Sequence, residues 1–258
     1  MARQPLAREG AEAGSSVVEM GRTRSGSPGY ADLDVADAFS EKSVRRDFVR
    51  KVYFILALQL TATTAIICTV IYLEPLNKWV QLNRWFTFAL FPALFGLIIT
   101  LACFEEPRRR LPLNFILLGL FTVLEGLLLG AVSVFFEVDV VLWALGATAF
   151  VSFGLSLFAL QTRWDFTAAL GFLWVLVLVL LAYGIIAAIV QSQWLRILYA
   201  SFGTLIFAVY LVVDTQLMLG GHHRYSLSPE DYVFAALNLY LDIFTLFLLI
   251  LELIGLTR

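Results

Sequence analysis

Ala235-Ala236-Leu237-Asn238-Leu239-Tyr240-Leu241-Asp242-Ile243-Phe244-Thr245-Leu246-Phe247-Leu248-Leu249-Ile250-Leu251-Glu252-Leu253-Ile254-Gly255 is the stretch that decides how this chain folds. It contains no Lys, Arg or Pro, and it reaches the roughly 20 residues a helix needs to cross a hydrocarbon core. On a helix turning about 100° per residue, Asn238, Thr245 and Glu252 fall within about 80° of Asp242. They form one polar stripe on an otherwise apolar cylinder. Such a helix belongs inside a bundle, with its stripe turned toward partners or water.

Working outward, the same length rule gives spans at 52–73, 86–104, 112–136, 138–160, 166–190 and 196–219, with the last running 231–255. The fold class is therefore all-α, an integral membrane protein of seven transmembrane helices. Composition agrees: of 258 residues 60% are hydrophobic and 15% charged, where a soluble domain carries about 25% charged. Most connections are marked by charge or turn signals: Glu74-Pro75, Pro107-Arg108-Arg109-Arg110, Arg163-Trp164-Asp165 and Gly220-Gly221. Only Glu137 and Asp139 separate the third span from the fourth. Ser228-Pro229-Glu230-Asp231 places an N-cap serine before an N1 proline with an acid at N3, a start signal for the seventh helix.

Residues 1–40 are rich in Gly, Ser, Ala and Arg and lack the apolar core of a signal peptide. They are expected to be a disordered cytosolic tail, with 41–258 as the seven-helix domain. Residues 44–51 can form a short basic amphipathic turn at a membrane surface. With the N-terminus in the cytosol, ten Lys and Arg fall near that face: Lys42, Arg45, Arg46, Arg50, Lys51, Arg108, Arg109, Arg110, Arg163 and Arg224. Lys78, Arg84, Arg196 and Arg258 make four on the other. The bias favours a cytosolic N-terminus. A net charge of −2 gives no case for nucleic acid. Cys68 and Cys103 sit in apolar segments without metal spacing and read as small hydrophobes.

Four carboxylates lie within the spans: Glu125, Asp214, Asp242 and Glu252. A charge at the bilayer centre costs about 2.5–3.5 kcal/mol even on the lenient insertion scale. These residues face the bundle interior or water. A short loop makes the sixth and seventh helices antiparallel neighbours, so Asp214 and Asp242 can approach each other. Two carboxylates at close range titrate as a pair sharing a proton. Their few oxygens fall short of the roughly six to eight that calcium prefers, which suits a weak, transient calcium site better than storage. An arginine following the second span ends on the same side and can reach Asp214.

Val213-Asp214-Thr215-Gln216-Leu217-Met218-Leu219-Gly220, Leu227-Ser228-Pro229-Glu230-Asp231-Tyr232 and Ala235-Ala236-Leu237-Asn238-Leu239-Tyr240-Leu241-Asp242-Ile243 together resemble the transmembrane BAX-inhibitor-motif, or lifeguard, family, especially its glutamate-receptor-associated branch. The likeness extends through Val44–Tyr53, Arg110–Asn114 and Gln161–Thr167, and so over roughly residues 40–258. The tail departs from that branch, lacking its long Pro/Gly/Tyr-rich N-terminus. The resemblance implies a seventh helix at the centre of six others. It also implies a pH-sensitive calcium leak of internal membranes (endoplasmic reticulum, Golgi or endosomal) that restrains apoptosis. Its pH-sensing pair falls on Asp214 and Asp242 and its latch on Arg108. Asn238, Thr245, Glu252 and Glu125 are supporting polar groups. No cofactor is implied beyond calcium as permeant ion. The implied partners are the bilayer, calcium and apoptosis-regulating membrane proteins, and no enzyme activity is expected.

The alternative is a non-conducting membrane scaffold that binds death-pathway or receptor partners. Other classes fit less well. A seven-helix receptor would carry Asp-Arg-Tyr after its third helix and Asn-Pro-x-x-Tyr in its seventh, and a retinal protein a lysine within a span. An intramembrane aspartyl protease would set its aspartates in Tyr-Asp and Gly-x-Gly-Asp, with a late Pro-Ala-Leu. Here they follow Val213 and Leu241, and Pro92-Ala93-Leu94 lies in the second span.

Overall fold

The computed structural model describes residues 30–104, 112–220, 227–228 and 230–257, with side chains from 43 onward. The described residues form helices and no strand: α1 Tyr30–Tyr72, α2 Glu74–Leu82, α3 Arg84–Cys103, α4 Leu113–Ser133, α5 Val138–Gln161, a 3-10 turn Phe166–Ala169, α6 Leu170–Val190, α7 Gln193–Leu219 and α8 Tyr232–Thr257. Among the described residues, seven segments are long and apolar enough to cross a membrane: Ser43–Tyr72, Arg84–Cys103, Leu113–Ser133, Val138–Gln161, Phe166–Val190, Gln193–Leu219 and Tyr232–Thr257. Two contact units are distinguished, Met1–Ser40 and Glu41–Arg258. The bundle is the second.

Three local features depart from the sequence reading. Helix is present from Tyr30, inside the stretch expected to be a disordered tail; the rest of that tail lies outside the described residues. The connection after α1 is itself helical. Glu74-Pro75 opens α2, where proline's missing N–H costs nothing in the first turn, and Lys78 pairs with Glu74 at 3.2 Å. The start of α8 also differs. Ser228 closes a turn, its carbonyl accepting from the Asp231 N–H at 2.9 Å, and the Asp231 carbonyl takes the first helical bond from the Ala235 N–H at 2.9 Å.

Burial makes α8 the axis. Val233, Ala235, Ala236, Leu237, Leu239, Tyr240, Leu246, Phe247 and Leu251 are all buried. The main core gathers around the first half of α8, with Phe48, Val52, Leu56, Leu94, Leu118, Phe121 and Leu211 from the surrounding helices. A second cluster joins Ile67, Leu129, Val141, Ala144, Ile250 and Leu251. Outward faces are apolar, as lipid contact requires: Phe150, Phe153, Leu178 and Ile189 are exposed. All six tryptophans are exposed too, at Trp79, Trp85, Trp143, Trp164, Trp174 and Trp194. Each stands within a few residues of a helix end or in a connection, where interfacial tryptophan collects.

Long-range bonds fix which ends share a side. The Arg45 guanidinium on α1 donates to the Leu227 carbonyl at 2.7 Å and the Met218 carbonyl at 3.3 Å. The Gln216 amide donates to the Trp164 carbonyl and accepts from the Phe166 N–H, both at 2.8 Å. The Asn114 amide donates to the Tyr232 hydroxyl at 3.1 Å. The α1 approach, the start of α4, the α5–α6 connection and the α7–α8 connection therefore lie together, on what is called the N side below. On the opposite side, the Gln193 amide donates to the Leu256 carbonyl at 3.0 Å.

Candidate functional site

α7 and α8 form the most extensively packed helix pair, and each carries an aspartate into their shared face. Small residues allow the approach. A Cβ on Gly203 of α7 would stand 2.9 Å from Leu249 Cδ2 of α8. Asp214 lies about a turn and a half before the end of α7, and Asp242 about three turns into α8. The two carboxyls lie within hydrogen-bonding reach of each other. A carboxyl–carboxyl hydrogen bond needs a proton on one partner, because two carboxylates only accept. Asp242 is buried and Asp214 half-buried. One oxygen, Asp242 Oδ2, has no hydrogen-bond partner.

The neighbourhood is polar on the α7 side. Tyr210, one turn before Asp214, lies within electrostatic reach of both aspartates. The Thr215 and Gln216 side chains are fully buried. Thr215 returns its hydroxyl to the Leu211 carbonyl at 2.7 Å, while Gln216 holds the α5–α6 connection. The remaining stripe residues on α8 behave unequally. Asn238 is half-buried, Thr245 bonds the Leu241 carbonyl at 2.8 Å, and Glu252 is half-buried within electrostatic reach of Arg196 at the far end.

Glu125 stands apart. It projects from α4, is buried, and lies within electrostatic reach of Tyr240. Tyr240 and Asp242 are about 200° apart around α8, so the axis helix separates Glu125 from the aspartate pair.

Arg108, assigned as a latch, lies outside the described residues, as do Arg109 and Arg110. Arg45 stands by the end of α7, one turn beyond Asp214, bonded to the Met218 and Leu227 carbonyls. Sequence reasoning placed Arg45 in a surface turn, since a contact across 182 residues leaves no local signal. A faint signal exists next door. Gly220 has φ +60, and a Cβ there would meet Arg45 Cζ at 2.8 Å.

Two carboxyls between two helices can hold a proton or contribute oxygens to a passing cation, and no group of three or more His, Cys, Asp or Glu able to hold a metal occurs among the described residues. The fold and this pair define an integral membrane bundle with an acidic couple between its last two helices. Residues 45–258 match the family described as Inhibitor of apoptosis-promoting Bax1, and the chain belongs to that family. It is 39% identical to Protein lifeguard 3 of Homo sapiens over 230 residues, which is 86% of this chain and 74% of the human protein. It is also 38% identical to Protein lifeguard 3 of Mus musculus over 221 residues, 84% of this chain and 71% of the mouse protein. Bax inhibitor 1 of Schizosaccharomyces pombe is 39% identical over 223 residues, 84% of this chain and 79% of the yeast protein.

Proposed function

We propose that this protein is a pH-sensitive calcium leak of internal membranes, with its N-terminus in the cytosol, that restrains apoptosis. The close approach of the Asp214 and Asp242 carboxyls, within hydrogen-bonding reach in the face shared by α7 and α8, supports this reading most strongly. A pair sharing one proton has two other states. Losing the proton leaves two like charges in contact, which repel, and gaining a second removes the charge that attracts a cation. Either change alters how α7 and α8 pack, because the pair sits in their shared face. A cation passing the pair meets a few carboxyl oxygens, enough for brief residence and too few for a storage site.

The restraint of apoptosis rests on family membership and on the names of the relatives. In this reading the leak lowers the calcium content of an internal store. Arg45 supplies the basic hold on the end of α7, in addition to any contribution from Arg108. Purified protein in liposomes loaded with a calcium indicator tests the proposal. Calcium entry above that of empty liposomes, reduced by Asp214→Asn, is the expected result. Absence of flux from folded protein at every pH would favour a scaffold that acts only through partners.

A further inference from the structure

A second set of buried oxygens lies on the opposite face of α8 from the aspartates. Gln59 and Thr63 are one turn apart on α1, Thr122 and Glu125 are one turn apart on α4, and Tyr240 comes from α8. All five are buried. The Gln59 amide donates to the Thr122 hydroxyl at 3.0 Å, and Thr122 donates to the Leu118 carbonyl at 2.8 Å. The Thr63 and Tyr240 hydroxyls are 2.7 Å apart. Two acceptors are left over: Gln59 Oε1 and Glu125 Oε2 have no hydrogen-bond partner. Among the described residues no basic side chain pairs with Glu125; the ion pair found there is Lys78–Glu74, on the surface.

Unpartnered acceptors are costly in a membrane interior, where no solvent compensates them. Three helices bring these oxygens to one face of α8, where a proton on the Glu125 carboxyl or a cation can partner them. We infer that this cluster is a monovalent-cation site, separate from the aspartate pair, with Glu125 as its single charge. Charge balance selects the valence. One carboxylate with one amide carbonyl and three hydroxyls neutralises an alkali cation and leaves a divalent ion with a net positive charge in the bilayer core. The ligand set is all oxygen, as a hard cation requires.

A mainly apolar groove adjoins the cluster. A groove of about 370 Å³ runs between α1 and α5 over α8, and both Thr63 and Tyr240 line it. Thr148 and Ser152, one turn apart on α5, line the same groove, are buried, and leave their hydroxyls unpartnered.

Thermal unfolding of the full chain in detergent tests the site, in NaCl, KCl or LiCl against choline chloride at constant chloride. A ligand that binds only the folded state raises its unfolding temperature. At least one alkali cation should raise it over choline in the wild type and in Asp214→Asn, with apparent affinity at least tenfold weaker in Glu125→Gln. Gln59→Met should weaken it several-fold, and serves as the test if Glu125→Gln does not fold. The inference is overturned if no alkali cation stabilises the wild type, or if Gln59→Met leaves the affinity unchanged. It is equally overturned if Asp214→Asn abolishes the effect, or if calcium alone stabilises through Glu125.

Discussion

Arg45 should hold the end of α7 in place, and its removal offers a measurable perturbation. The guanidinium is half-buried and makes two charge-assisted bonds to carbonyls, at 2.7 Å to Leu227 and 3.3 Å to Met218. A hydrogen bond to a charged group contributes about 1.5–3 kcal/mol. The second bond is long and the side chain partly exposed, so Arg45→Ala should cost about 2 kcal/mol in all. Spread over a domain of this size, that lowers the unfolding temperature by about 4–8 °C. The loss is local as well as global, because one freed carbonyl, Met218, belongs to the last turn of α7 and the other, Leu227, to the connection that follows it. Amide exchange in 213–220 should accelerate well beyond that in α4. Arg46, the exposed neighbour, is the control, and Arg46→Ala should change the unfolding temperature by less than 1 °C or so. Gly220→Ala should mimic Arg45→Ala, since its Cβ would strike the guanidinium and its backbone occupies a region open mainly to glycine. Unfolding temperatures and exchange rates matching those of Arg46→Ala would refute the clamp.

Tyr240→Phe removes the partner of Thr63 in the interior and should cost about 1 kcal/mol, within the range of buried membrane hydrogen bonds; Thr63→Val in the same background should cost little more, and a double-mutant cycle in denaturant measures the coupling. Gly203→Val should destabilise by about 1–3 kcal/mol through contact with Leu249, because a Cβ already stands 2.9 Å from it. Gly96→Ala in α3 meets nothing within 4 Å, and should be neutral or stabilising by up to about 1 kcal/mol through helix propensity. Thermal unfolding of the two glycine variants side by side checks both signs.

Much of this arrangement was legible in the chain because lipid imposes a crude rule. A crossing segment needs a fixed length of apolar residues, so the seven spans emerge from counting alone. The polar stripe on α8 was equally visible, as only a helix buried on all sides can carry Asp242 through the bilayer. What escaped was everything set by distance along the chain. α2 is too short and too polar to register as a span, and its helicity rests on Glu74-Pro75 as a start. Arg45 reads as one of several surface cations, and only the folded bundle singles it out from Arg46. Glu125 was grouped with the aspartates because all are carboxylates within spans, but a place within a span does not say on which side of α8 a residue falls. Ser228 illustrates a local limit: a serine before a proline can cap a helix or close a turn, and here it closes a turn three residues ahead of α8.

The shared proton between Asp214 and Asp242 is the centre of the account, and the pH profile of calcium flux tests it most directly. Purified wild-type protein, Asp214→Asn and Asp242→Asn should be compared in liposomes from alkaline to acidic pH, with folding verified for each. The wild type should show a bell-shaped profile. Mild acid raises the flux because protonating Asp214 weakens its attraction for the latch arginine expected at Arg108, and stronger acid lowers it as the carboxylates that attract the cation are lost. Each single Asn variant has one titrating carboxyl left, so its profile should lose the bell and flatten as well as change in size. A folded Asp214→Asn protein with the wild-type flux and the wild-type profile would contradict the account.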